Sequence, residues 1–140
     1  MKRIMAIDYG DARTGIAVSD ATLTLTGDAW VVHNKRMEQV AQTISEEVVA
    51  RDVSSIIIGY PKNMDGTIGV RAEKSEQLVK ILRSLCDDDV EIKLWDERMT
   101  TVSAHRVLTN VGKHGKKRKK TVDAVAASLI LESYLSFLRG

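Results

Sequence analysis

Short runs of apolar residues alternate along this chain with longer segments that repeat with helical periodicity. The runs predict five buried strands, at 4–8, 16–19, 29–33 (starting as early as Leu23), 54–59 and 90–95. Apolar residues at helical spacing predict helices at 36–51, 70–86, about 101–110 and 122–138. Three consecutive strands followed by alternating helices and strands predict an α/β fold, a five-stranded mixed sheet with helices on both faces. Right-handed crossovers place the fourth and fifth strands beside the first, in the order 3-2-1-4-5.

Asp8 ends the first apolar strand, and the segment from Gly10 to Gly15 has the composition of a tight turn that leads into the second strand. A carboxylate at this position lies at the carboxyl end of the sheet, where open α/β sheets bind their ligands. A hairpin of this kind, strand, aspartate, glycine, turn and strand, opens ribonuclease H-like folds, in which the aspartate binds a metal. The alternative interpretation is an aspartate that only shapes the turn.

Acidic residues also stand at the ends of two later elements. Asp96 and Glu97 end the fifth strand, and Asp123 opens the last helix. In the predicted fold these residues converge with Asp8 at one edge of the sheet, and clustered carboxylates repel unless a cation neutralises them. Oxygen ligands of this kind suit Mg²⁺ or Mn²⁺, which can activate water and stabilise a phosphoryl displacement. Singly, each acid also has a plain structural interpretation, as a helix cap or as a carboxylate favoured by the helix dipole.

Composition narrows the class of protein. The 140 residues, 44% apolar and 29% charged, are typical of one globular domain, predicted here to span 1–140. The single cysteine, Cys86, excludes an internal disulfide and suits a reducing cytoplasm. No apolar stretch approaches the roughly 20 residues of a membrane span, so no membrane partner is expected. There is no phosphate-binding P-loop motif or dinucleotide-binding glycine motif, and the three histidines lack zinc spacing.

Two segments carry residues suited to a polyanionic substrate. The loop after the fourth strand, flanked by Gly59 and Gly66, contains Lys62 and Asn63, which can donate to phosphate oxygens, although it also has the composition of a surface turn. The basic tract, residues 113–120, has six cations and no acid, and the rest of the chain carries a net charge of −4. The tract is predicted to form a loop, with Thr121 as the N-cap of the last helix. Its candidate contacts to a nucleic-acid backbone are Lys116, Lys117, Arg118, Lys119 and Lys120, with Arg71 and Arg98 as further candidates elsewhere.

Four blocks of sequence together resemble one known family. They are IDYGDARTGIAVSD, GYPKNMDGT, LWDERMTT and KKTVDAVAASLILESYL, and they extend from residue 7 to residue 135. The chain is similar here to the YqgF family, bacterial proteins related to Holliday-junction resolvases and described as nucleases of pre-16S ribosomal RNA. The resemblance implies a ribonuclease H-like fold, a cytoplasmic location, maturation of the 5′ end of 16S ribosomal RNA, and an acidic triad of Asp8, Glu97 and Asp123.

One feature departs from the resolvases, in which the second acid ends the fourth strand. Here that strand ends without an acid, and Glu97 lies two strand spacings from Asp8, about 10 Å at the backbone. Asp96 is therefore an alternative ligand, and Asp65 a weaker one.

Four functions remain open at this point. They are a metal-dependent nuclease for structured RNA, an RNA-binding ribosome-assembly factor with little catalysis, a resolvase for branched DNA, and an actin-like nucleotide-binding protein. The last requires two such domains around its nucleotide, and this chain has one. The expected partners are ribosomal RNA precursor or branched DNA, with the ribosome as a further candidate, and the chain itself as a monomer or weak dimer.

Overall fold

The computed structural model of the protein describes residues 3–23, 26–33, 36–63, 65–97 and 115–139, with side chains in the last range described from residue 124 onward. Five strands and three helices lie in these ranges. In chain order they are β1 Arg3–Tyr9, β2 Arg13–Ser19, β3 Thr26–His33, α1 Met37–Ala50, β4 Val53–Tyr60, α2 Val70–Leu85, β5 Glu91–Asp96 and α3 Gly115–Arg139. None of the helices in the described ranges is both long enough and apolar enough to cross a membrane.

The strands form one mixed sheet in the order β3-β2-β1-β4-β5, as predicted. β1, β2 and β3 are joined as an antiparallel meander, and β4 and β5 lie parallel to β1. Ile7 of β1 is the partner of Ile58 on β4, and Gly59 is the partner of Trp95 on β5. The carboxyl ends of β1, β4 and β5 therefore meet at one edge of the sheet, and the following residues of each strand share that edge.

Strand alternation divides the core into two layers. Met5 and Ile7 of β1 pack with buried residues of α1 and α2, whereas Ile4 and Ala6 pack with buried residues of α3. The helices present apolar residues at intervals of three and four, such as Ala127, Ile130, Leu131, Tyr134 and Leu135 on α3, and so bury a continuous stripe. This arrangement confirms helices on both faces of the sheet, and it places Asp8, two residues after Ala6, on the face that α3 covers.

The basic tract is helical from Gly115, where a loop had been expected. α3 begins at Gly115 rather than near Val122, so Thr121 lies inside the helix and is not its N-cap. Lysine and arginine have high intrinsic helix propensity, and no proline interrupts residues 115–139, so the helix extends through the cations. Lys113 and His114 lie outside the described residues.

Other predicted bounds differ by a few residues. β3 starts at Thr26, between the two predicted starts, because Leu23 adopts a positive φ of 59° in the preceding turn. Leu85, the last residue of α2, is 42% exposed because it lies beyond the last turn that packs on the sheet. The predicted helix at about 101–110 falls outside the described residues.

Candidate active site

The β1–β2 hairpin places Asp8 at the carboxyl edge. The backbone N–H of Gly10 donates to the carbonyl of Arg13 across 3.0 Å, which closes the turn predicted from sequence. A Cβ atom at Gly10 would lie 2.5 Å from that carbonyl oxygen, so the turn requires glycine. The tight turn allows β2 to pair with β1 as far as Tyr9 and Thr14, and Asp8 is therefore held opposite Gly15 in this hairpin.

Glu97 reaches Asp8 from β5. It directly follows the strand, and its carboxyl group is within hydrogen-bonding reach of the Asp8 carboxyl group. The two residues are separated at the backbone by the whole width of β4, so the contact depends on the length of the glutamate side chain. Of the acids predicted to converge, these two meet through their described side chains.

The electrostatics of the pair favour a bound proton or a cation. Burial first, and then the charge of Asp8 and the hydrogen bond with it, raise the pKa of Glu97 to about 8, although the charge of Arg71 acts to lower it. Asp96 adds a smaller upward contribution to the same pKa. Two acids held together in a largely buried place cannot both ionise without a positive charge between them.

Asp96 lies on the other face of β5. Ile92 and Leu94 of β5 pack against the layer of α1 and α2, whereas Trp95 packs against the layer of α3. By strand alternation Asp96 follows Ile92 and Leu94, away from the face of Asp8. The charge of Asp96 is thus close enough to raise the pKa of Glu97, but Asp96 lies on the opposite face of β5.

The other acids near this edge are engaged elsewhere. Asp65 accepts hydrogen bonds from the backbone N–H and the hydroxyl of Thr67, and these bonds lower its pKa. Asp11, in the β1–β2 turn, is exposed and forms an ion pair with Lys74 of α2 at 3.1 Å. Neither carboxylate joins the described contact between Asp8 and Glu97.

Position 123 of α3 is in line, by helical spacing, with the positions of this helix that are buried against the sheet. It lies four residues before Ala127 and seven before Ile130, both of which are buried against the sheet. The side chain of Asp123 lies outside the described residues. Among side chains that are described, no group of three or more His, Cys, Asp or Glu is placed to hold a metal ion.

The donor set nevertheless fits a hard divalent cation. Asp8 and Glu97 supply carboxylate oxygens, the ligands that Mg²⁺ and Mn²⁺ prefer, and their mutual repulsion would be relieved by such an ion. Position 123 belongs to the helix that covers the same face. The two described carboxyl groups suit an ion held between the ends of β1 and β5.

The candidate substrate residues whose side chains the structure describes, Arg71, Lys62 and Asn63, lie near the same edge but differ in what they contact. Arg71, in the first turn of α2, is exposed and is close enough to Glu97 to lower its pKa. The amide of Asn63 donates to the Thr67 hydroxyl across 2.9 Å, so Asn63 is partly used in holding its own loop. The Lys62 ammonium lies 5.6 Å from the centre of the Tyr60 ring, and Arg98 falls outside the described residues.

Two kinds of comparison identify the family. The family model described as "RuvX: Holliday junction resolvase" matches residues 2–137. A protein of Halothermothrix orenii named "Putative pre-16S rRNA nuclease" is 43% identical over 135 residues, covering 96% of this chain and 95% of its own length. A protein of the same name from Shouchella clausii is 41% identical, covering 95% of this chain and 94% of its own length.

Solved structures agree on the fold. A structure titled "T. thermophilus RuvC in complex with Holliday junction substrate" has a TM-score of 0.65 at 13% identity, covering 98% of this chain and 96% of that one. The fowlpox virus resolvase in complex with Holliday junction DNA has a TM-score of 0.62 at 11% identity, covering 99% of each chain. These likenesses confirm the predicted ribonuclease H-like fold. The match of the family model over residues 2–137, together with relatives that are 41–43% identical over nearly the whole chain, establishes that the chain belongs to the RuvX family of Holliday junction resolvases.

Proposed function

We propose that this protein is a metal-dependent nuclease that hydrolyses phosphodiester bonds in ribosomal RNA precursor. The observation that carries the proposal is the direct contact between the carboxyl groups of Asp8 and Glu97 at the carboxyl edge of the sheet. A half-buried pair of acids in contact destabilises a fold without a cation, so its presence at the ligand-binding edge favours a catalytic purpose.

The proposed ligands of Mg²⁺ or Mn²⁺ are Asp8, Glu97 and Asp123. A divalent cation bound there would supply Lewis-acid stabilisation of the reacting phosphate and a more acidic water molecule. Arg71 is suited to contact a substrate phosphate, because it is exposed and its charge acts on Glu97. Lys62, Asn63 and Arg98 are proposed to contact the nucleic-acid backbone beside it.

The proposed substrate follows from the relatives. The curated proteins that are 37–43% identical to this chain are named for pre-16S rRNA, and they match over nearly their whole length. Branched DNA is the second candidate, favoured by the family description and by the junction bound in the RuvC and fowlpox structures. Action on ribosomal RNA precursor would take place in the cytoplasm.

The direct test incubates purified protein with labelled pre-16S RNA and with a labelled four-way DNA junction. Each substrate is tested with Mg²⁺, with Mn²⁺ and with a chelator. Metal-dependent cleavage of the RNA in preference to the junction would support the proposal. Cleavage of the junction alone would favour the resolvase. Binding of RNA without cleavage under every condition would indicate an assembly factor instead.

Metal binding should be visible without any substrate. Mn²⁺ or Mg²⁺ is expected to raise the midpoint of thermal unfolding of the wild type, because an ion bound only by the folded state stabilises it by about 2.7 kcal/mol at one hundred times its Kd. The Asp8→Asn variant should show no such rise. Differential scanning fluorimetry over a metal titration measures both, and equal shifts in the two proteins would exclude Asp8 as a ligand.

The basic tract should govern affinity and its dependence on salt. Replacing Lys116, Lys117, Arg118, Lys119 and Lys120 together by Ala is expected to weaken binding to all sequences alike, because phosphate contacts release counterions. Five consecutive helical positions surround the helix axis, so about two or three of them can face one backbone at a time. The slope of log affinity against log salt should therefore flatten by about 2 to 3 units.

Alanine preserves helix propensity, so α3 should remain folded in this variant. Cleavage at saturating substrate should change less than the affinity, because these cations are not proposed metal ligands. A control variant replaces Lys80 and Arg83 by Ala, since both are exposed on α2 and line the groove beside the amino-terminal half of β5. If the two variants lose the same affinity for nucleic acid per removed charge, the basic tract has no special role in binding.

A further inference from the structure

Gly59 lies between the two acids of the site. It is buried in β4, whose neighbours are β1 on one side and β5 on the other. Ile7 is the partner of Ile58, so the residues that follow them, Asp8 and Gly59, are adjacent across the β1–β4 ladder. On the other side Gly59 is the partner of Trp95, two residues before Glu97. A straight path from Glu97 to Asp8 therefore passes over Gly59.

Backbone conformation does not explain a glycine at this position. Gly59 takes part in the regular ladder with β5, and the glycine with positive φ in the described residues is Gly66, at 88°. Glycine weakens the interior of a strand, so its presence there indicates that another group needs the space of the missing side chain. The structure identifies that group.

A Cβ atom built on Gly59 would lie 2.8 Å from Oε1 of Glu97 and 3.0 Å from its carboxyl carbon. It would also lie 2.7 Å from Cδ1 of Ile130 on α3. All three distances are shorter than van der Waals contact. The Glu97 carboxyl thus occupies the space that any other residue at position 59 would fill.

The backbone of Gly59 has little freedom to move aside. Its carbonyl accepts a hydrogen bond from the buried Ser75 hydroxyl of α2 across 3.0 Å. On the opposite face, Trp95 donates from Nε1 to the Ser133 hydroxyl of α3 across 3.2 Å. Because these bonds hold β4 to α2 and β5 to α3, the groups free to yield to a Cβ atom are the ends of two flexible side chains, the Glu97 carboxyl and Ile130 Cδ1.

We propose that Gly59 is a positioning residue for the acidic site: the absence of a side chain on β4 opens the path by which Glu97 crosses from β5 to Asp8. The effect of Gly59 on cleavage rests on the proposed nuclease function, whereas its effect on the contact between the two acids does not. Any side chain at position 59 is expected to push the Glu97 carboxyl away from Asp8 while the fold survives.

The test separates this role from simple packing against α3. In the double variant Gly59→Ala/Ile130→Val the Cδ1 atom of Ile130 is gone, so the remaining clash is with Glu97. Ile130→Val alone is the matched control. Gly69→Ala is a second control, because its Cβ atom would meet only ordinary contacts with Asn63, at 3.7 and 3.8 Å.

The double variant is expected to unfold at a temperature close to that of Ile130→Val. Its affinity for Mn²⁺, measured by calorimetry, should fall at least about tenfold, as it does when the support of a metal ligand is lost. Cleavage at saturating substrate should fall in parallel, while affinity for nucleic acid without metal stays unchanged. Mn²⁺ affinity and cleavage within about twofold of Ile130→Val would overturn the proposal.

A metal-free cycle keeps the proposal testable if the nuclease function itself fails, which would appear as a wild type that neither binds Mn²⁺ nor cleaves. The midpoints of thermal unfolding of Asp8→Asn, Glu97→Gln and the pair together are measured without metal, in the wild-type and Gly59→Ala/Ile130→Val backgrounds. In the wild-type background, we expect the shifts in unfolding midpoint caused by Asp8→Asn and Glu97→Gln to be non-additive. In the Gly59→Ala/Ile130→Val background, we expect them to be additive. Additive midpoints in the wild-type background, or equal coupling in both, would show that Gly59 does not control the contact.

Discussion

Asp8→Asn is expected to abolish metal-dependent cleavage while the protein stays folded. The change keeps the size of the side chain but removes the charge that a divalent cation requires, and one acid of the pair at the sheet edge is lost. We expect the rate at saturating substrate to fall by at least about 100-fold, the lower end of losses seen when a charge-stabilising group is removed from an active site. Single-turnover cleavage of labelled RNA with Mg²⁺ or Mn²⁺ measures the loss.

Asp11→Asn is the matched control for this experiment. Asp11 lies three residues further along the same hairpin, is exposed, and is paired with Lys74 rather than with Glu97. Its replacement removes the same charge from the same edge and should change cleavage by less than about threefold, in keeping with the small contribution of an exposed ion pair. Undiminished cleavage by Asp8→Asn, purified in parallel with the control, would exclude the proposed site.

The second large effect concerns Glu97 and its neighbour Asp96. Glu97→Gln is expected to lower the cleavage rate by at least about 100-fold, because the glutamate carboxyl is the group that meets Asp8. Asp96→Asn should lower the rate less than about tenfold. Asp96 lies on the face of β5 that α1 and α2 cover, so its charge acts on the site only at a distance. Both variants are compared with wild type in the same single-turnover assay.

The ranking of these two variants is itself the test. A larger loss from Asp96→Asn would mean that Asp96 enters the site when metal and substrate bind and that Glu97 is not the second ligand. Measuring the Mn²⁺ affinity of each variant separates loss of the ion from loss of the substrate. Glu97→Gln should weaken Mn²⁺ binding, and Asp96→Asn should leave it nearly unchanged.

The sheet and its edge were predictable from local patterns. The buried runs around Ile7, Ile16 and Ile57 identify strands because branched apolar side chains suit a sheet covered on both faces. Handedness rules then determine the strand order, since each crossover can return on one side only. The position of Asp8 at the end of β1 follows from these two facts, and so does the expectation that a ligand binds nearby.

The extent of α3 was not predictable in the same way. The tract from Lys116 to Lys120 has no apolar position, and helix assignment from periodicity depends on apolar positions. The intrinsic propensity of lysine and arginine and continuity with the buried stripe after Ala127 extend the helix instead.

The fold, the family and the acids near the carboxyl ends of β1 and β5 could all be predicted from local sequence patterns and the four family blocks. The sequence left open which of Asp96 and Glu97 faces Asp8, because a shift of one residue at the end of a strand moves a side chain to the opposite face. Tertiary structure placed Glu97 beside Asp8 through contacts made across three strands. The space over Gly59 likewise depends on β4, β5 and α3 together. A glycine in a strand shows its role only when the groups that fill the space of its missing side chain are known, and here they are Glu97 and Ile130.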